Sequence, residues 1–94
     1  MEHWKVEWLH ESETDPTLIY SEIGEDGYEI RKVHQYKDGR LLRSDECHES
    51  REIGLSEVPV GKIEDVARQP EFAAVRVPLA EFEQFWTMAT WPSP

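Results

Sequence analysis

Ninety-four residues suffice for one small domain around one core, burying about two thirds of the unfolded chain's surface; two domains are not expected. Twenty acidic against ten basic residues give a formal net charge of -10, a balance that repels nucleic acid and anionic membranes and attracts basic surfaces. With Cys47 as the only cysteine no intrachain disulfide can form, and no apolar run approaches the roughly 20 residues of a membrane span.

The start, Met-Glu-His-Trp-Lys, lacks the charged and apolar regions of a signal peptide, and with the lone thiol this points to a cytoplasmic protein. His3 to Leu9 alternates, with Trp4, Val6 and Trp8 on one side and His3, Lys5 and Glu7 on the other, as a half-buried strand requires. The acidic loop His10 to Pro16 comes next. Thr17 to Ile23 is β-branched and aromatic, apolar on both parities, and reads as a central strand covered on both faces.

Two Asp-Gly pairs, Asp26-Gly27 and Asp38-Gly39, mark tight hairpin turns and predict a three-strand meander. Taken as two-residue loops, they set Ile23 opposite Ile30, Glu22 opposite Arg31, Tyr36 opposite Leu41 and Lys32 opposite Asp45. This register puts Ile19, Ile23, Ile30, His34, Tyr36 and Leu41 on one face, the better core candidate, and Leu18, Tyr20, Val33 and Leu42 on the other. Lys32, Arg43 and Asp45 also fall on the first face, which requires either an open lower end or a bulge that changes parity.

From Glu46 to Gly61 the chain is charged and then irregular, a long loop pinned by Ile53, Leu55, Val58 and Val60. Lys62 to Gln69 carries Ile63, Val66 and Ala67 at helical spacing, with Glu64 and Asp65 in the first turn and Pro70 after it. Phe72 to Val77 is a candidate further strand. Leu79, Phe82, Phe85, Trp86 and Ala89 have the spacing of a helix with one buried face, and Trp91-Pro92-Ser93-Pro94 cannot continue it. The four tryptophans are expected in the core. The fold class is therefore α+β: an antiparallel sheet of four or five strands in a meander, covered on one face by the C-terminal helix, with one additional short helix, in a single domain.

Lys5-Val6-Glu7-Trp8-Leu9-His10, Leu18 to Glu22, Tyr28 to Val33, Gly54 to Pro59, and Glu81-Phe82-Glu83 with Trp86 together resemble a family of small bacterial proteins known only as a domain of unknown function. The likeness runs from about Lys5 to Trp86. It implies a compact cytosolic domain and carries over no catalytic residue. Small acidic domains of this kind often look like immunity proteins encoded beside toxins, which is an analogy rather than a motif.

For chemistry, Asp45-Glu46-Cys47-His48-Glu49 packs five possible metal ligands together, yet neighbours in an extended segment point to opposite sides and too few reach one ion. Cys47 lies among acids that disfavour a thiolate. No phosphate loop or nucleophile elbow is present. Core packing is the favoured role for Trp4, Trp8, Tyr20, Tyr28, Phe82, Phe85 and Trp86. No catalytic residue, metal or cofactor is assigned. His34 with Asp45 or Glu46 is the alternative, a small enzyme or ligand-binding site.

The charge is unevenly placed: residues 1–27 hold eight acids and one base, 28–43 two acids and five bases, 44–57 five acids and one base, and 58–94 five acids and three bases. Glu11, Glu13 and Asp15 in one loop, Glu25 and Asp26 in a turn, and Asp45, Glu46, Glu49 and Glu52 after the meander are the candidate partner-binding residues. Converged into one patch, they would dock a basic, toxin-like protein, as an immunity protein does, with salt-sensitive association. Homo-oligomerisation through the strand Trp4 to Leu9 is a further possibility.

Overall fold

The computed structural model describes residues 1–50 and 53–92. The alternating start forms β1 (Glu2–Trp8), paired antiparallel with β2 (Leu18–Ile23) on one side and with β5 (Phe72–Arg76) on the other. With β3 (Glu29–Gln35) and β4 (Leu41–Asp45) these make a five-stranded antiparallel sheet of order β4-β3-β2-β1-β5. Two helices complete the α+β fold, α1 (Ile63–Ala67) and the longer α2 (Leu79–Met88). The central position expected for the doubly apolar β2 is observed. β1, the strand expected to offer an edge to another copy, is interior; the edges are β4 and β5.

Both Asp-Gly turns are three-residue loops, not two. Gly27 donates to the Gly24 carbonyl while Gly24 and Tyr28 pair, and Gly39 donates to the Tyr36 carbonyl while Tyr36 and Arg40 pair. Each glycine takes the left-handed conformation, at φ 85° and 92°. That is a type I turn closed by a glycine bulge, which an Asp-Gly pair serves as readily as a two-residue turn.

The extra residue displaces each pairing by one, with different outcomes. In the first hairpin a bulge at Ile30 absorbs it: Ile23 lies opposite Glu29 rather than Ile30, and beyond the bulge Glu22 opposes Arg31 as expected. The second hairpin has no such correction. Leu41 opposes Gln35 rather than Tyr36, Lys32 opposes Ser44, and Asp45 opposes Arg31.

The slip moves Leu41 and Leu42 to faces opposite to those expected. Leu41 joins Tyr20, Val33 and Phe82 beneath α2, whereas Leu42 packs with Tyr36 and Ile53 on the other side. There Trp4, Val6 and Ile23 meet Ile63 and Val66 of α1, with Val60 of the long loop. Both faces are therefore core: α2 covers one, and α1 with the loop covers the other. Phe82 and Val33 are fully buried, and losing a side chain such as Phe82 costs about 3 to 5 kcal/mol. Of the tryptophans only Trp4 is buried; Trp8 and Trp86 are half-buried and Trp91 is exposed.

After α2 the chain turns along β4. Thr90 accepts from the Arg43 amide and donates to the Leu41 carbonyl, and His48 and Asp45 exchange backbone hydrogen bonds on the same side of the strand. The outer edge of β4 is thereby covered. Among the described residues, no helix is long and apolar enough to cross a membrane.

Candidate functional site

Among the described residues, each face of the sheet holds one buried carboxylate. Under α2, Glu22 takes both Arg31 nitrogens, Nε at 2.7 Å and Nη2 at 2.8 Å, and also meets His3 Nε2 at 2.8 Å. Arg31 continues to Glu83 on α2 and lies 4.9 Å from the ring centres of both Phe82 and Trp86. The cluster ties β1, β2, β3 and α2 together. The Arg31 guanidinium holds the Glu22 carboxyl below the usual carboxylate range, against the opposing effect of burial, and His3 assists. On the other face Glu29 accepts from Ser21 Oγ, the Ser56 amide and Lys32 Nζ, and Lys32 also donates to the Gly54 carbonyl. The expected Glu22–Arg31 pair exists. Lys32 pairs with Glu29 rather than with Asp45.

The His34 arrangement does not form. His34 faces the α1 side, in register with Ile19 and Leu42, while Asp45 shares the α2 side with Arg31. Asp45 is bound instead to His48 Nδ1 at 2.8 Å. His34 Nδ1 is buried without a hydrogen-bond partner among the described residues, and burial, with Lys32 nearby, pushes its pKa down to about 3. Cys47 is exposed, and among the described residues no three His, Cys, Asp or Glu side chains gather closely enough to hold a metal ion.

The acidic residues fall into two groups at opposite ends of the sheet. Glu11, Glu13 and Asp15 lie in the β1–β2 connection beside the β3–β4 turn, where Glu13 reaches Lys37 at 3.6 Å. Glu25 and Asp26 lie at the other end of β2, a strand of six residues, or about 20 Å away. The single patch expected from the sequence is therefore divided. Glu49 is spent on its own loop, accepting from the Leu55 amide, and Glu52 lies outside the described residues.

The β2–β3 end is the more uniform of the two. Glu25, Asp26 and Glu46 line an open concavity of about 630 Å³ together with Met1, Tyr28 and Ile30, and among the described residues no basic side chain lines it. The Val60 amide donates to Gly27 and the Ser56 amide to Glu29, so Glu57 and Val58 are carried to the same end. Tyr28 is 42% exposed and Val58 64%. At the far end Lys5, His10 and Lys37 line the corresponding concavity beside Glu7, and the field there is mixed.

A family model matches residues 2–91, nearly the whole chain. The chain belongs to the domain of unknown function family DUF6881. No curated protein and no solved structure matches it. For this DUF6881 domain the site rests on its own geometry. Sequence reasoning misses Tyr28, Glu57 and Val58 as surface residues: alternation reports the face of a strand, not which end of the sheet a loop reaches, and Tyr28 reads as core in composition. The one usable signal is the place of Tyr28 immediately after Asp26-Gly27, because a residue leaving a tight turn is exposed by the turn.

Proposed function

We propose that this domain is a non-enzymatic, cytoplasmic protein-interaction module of the immunity type, which neutralises a basic toxin-like protein by docking it at the β2–β3 end. One observation carries the reading: Glu25, Asp26 and Glu46 line a concavity with no basic side chain among the described residues, while Tyr28 stands exposed beside it. Most of the other carboxylates are engaged within the fold, Glu22 and Glu83 by Arg31, Glu29 by Lys32, Glu2 and Glu64 by Arg76. Asp26 accepts from the Tyr28 amide at 3.1 Å, which leaves its charge unneutralised, and such acids around an amphipathic tyrosine match a basic partner in two ways. The charge speeds and orients encounter, and the ring supplies desolvated contact at the centre.

The test is capture of the partner from the native host at low salt, and then titration with variants. Charge reversal by Glu25→Lys with Asp26→Lys should weaken binding by roughly 100-fold or more and flatten its salt dependence. The same reversal at Glu11 and Glu13 should have a much smaller effect. Equal losses at the two ends, or no basic partner at low salt, would count against the reading.

A further inference from the structure

The cover on the α1 side of the sheet leaves a pocket beneath it. Trp4, Ile23 and Phe72 of the sheet and Val60 and Val66 of the cover line a space of about 230 Å³, with the exposed Gln69 at its rim. Apolar cavities of about 150 Å³ already take up benzene, so one substituted ring is within its capacity. The cover itself is slight. α1 has five residues and no side-chain cap at its start, and the loop before it is tied to the sheet by the Val60 amide on Gly27 and the Ser56 amide on Glu29.

Ser21, Glu29 and Lys32 line the same pocket and form one hydrogen-bonded group. The Glu29 and Lys32 side chains are only 5% and 16% exposed. Glu29 accepts from Lys32 and the Ser56 amide at Oε1, and from Ser21 at Oε2. A carboxylate offers about four acceptor positions, so among the described residues one is left, on Oε2. Lys32 donates to Glu29 and to the Gly54 carbonyl, which leaves one N–H of its ammonium without a partner among the described residues. The charges balance, and the hydrogen bonds fall short by one donor and one acceptor.

We infer that this pocket binds a small neutral aromatic molecule carrying a hydroxyl group, a phenol or an aryl alcohol. A hydroxyl donates and accepts at a single oxygen, and so supplies both the donor that Glu29 lacks and the acceptor that Lys32 lacks. A carboxylate or an ammonium in its place adds an uncompensated charge beside an ion pair that is already neutral, between apolar walls. The ring is matched by Trp4, Phe72 and the aliphatic side chains around them. This site lies beneath α1 and is independent of docking at the β2–β3 end, so each can fail without the other.

Benzyl alcohol is the probe, titrated into the isotope-labelled full chain and followed by its amide shifts, with toluene, benzoate and benzylamine for comparison. Saturable binding at millimolar concentration is expected, with shifts at Ile23, Val66 and Phe72 and none at Phe85 on α2. Toluene, which cannot make the two hydrogen bonds, should bind about tenfold more weakly or worse, and both charged probes should also bind more weakly than the alcohol. Val66→Phe fills the pocket and should abolish binding, with circular dichroism confirming the fold; Val60→Phe, outside the helix, serves if it does not fold. Lys32→Met should erase the preference for the alcohol over toluene. Should Lys32→Met not fold, because it strands Glu29, the filled pocket and the ranking of the probes decide. Absence of saturable shifts, toluene or benzoate binding as tightly as benzyl alcohol, or binding unchanged in the filled variant would overturn the inference.

Discussion

Replacing Arg31 by methionine tests whether the charge cluster under α2 holds the fold. The Glu22 side chain is only 6% exposed and is gripped by two Arg31 nitrogens. Without them, its buried charge keeps only His3, and Glu83 loses its partner as well. Breaking a buried pair from one side costs about 3 to 5 kcal/mol. A domain of this size has a total stability on the order of 5 to 10 kcal/mol, so Arg31→Met should lose about a third of it or more. The double variant Arg31→Met with Glu22→Leu removes the stranded charge and should recover most of the loss, because a well-packed apolar pair often matches a buried ion pair. Urea unfolding at neutral pH, read by tryptophan fluorescence and repeated for Glu22→Leu alone, completes the cycle. A cost below about 1 kcal/mol for Arg31→Met, or a double variant no more stable than that single one, would refute the reasoning.

Acid sensitivity should trace partly to His34. Its folded pKa is depressed to about 3, so below the ordinary histidine value near 6.5 the unfolded chain takes up a proton that the folded chain refuses. The stability it contributes is full above about pH 6.5 and falls as pH drops toward 3, on the order of 1 kcal/mol per pH unit. His34→Leu should remove that slope, as measured by urea unfolding at several pH values. Identical slopes in the two proteins would contradict the assignment. The two loop glycines should respond unequally to alanine. Both have positive φ, but a Cβ at Gly27 meets Pro59 Cβ at 3.3 Å and one at Gly39 meets open space. Gly39→Ala should cost about 1 to 2 kcal/mol and Gly27→Ala more, as read by thermal unfolding.

The strands were legible because alternation and apolar runs survive any choice of turn: β1, β2, the β5 candidate and both helices emerge from residue periodicity alone. The Glu22–Arg31 pair was also legible, because the bulge at Ile30 restores the register that the longer loop upsets. The β3–β4 register was not. Asp38-Gly39 is compatible with two loop lengths, and the sequence offers nothing between Tyr36 and Leu41 to choose between them. The shorter loop would set Asp45 on the His34 face; the longer one, which forms, sets it beside Arg31. The acidic residues were legible as chemistry but not as geometry, since their division between the two sheet ends depends on which loops share an end. Glu57 and Val58 lie in an aperiodic stretch and reach the β2–β3 turn only through the Val60 and Ser56 amides.

The sheet also divides the tryptophans. Trp4 and Trp8 lie on the α1 side, Trp8 against Phe72, while Trp86 and Trp91 stand on the α2 side with the Arg43 guanidinium 5.1 and 4.5 Å from their ring centres. Light absorbed by the chain is therefore shared between two chromophore pairs in different surroundings, one against aliphatic and aromatic neighbours and one against a cation. Trp86→Phe with Trp91→Phe leaves a reporter for the α1 side, and Trp4→Phe with Trp8→Phe leaves one for the α2 side. The molecule thus carries its own means of showing whether its two cores come apart together.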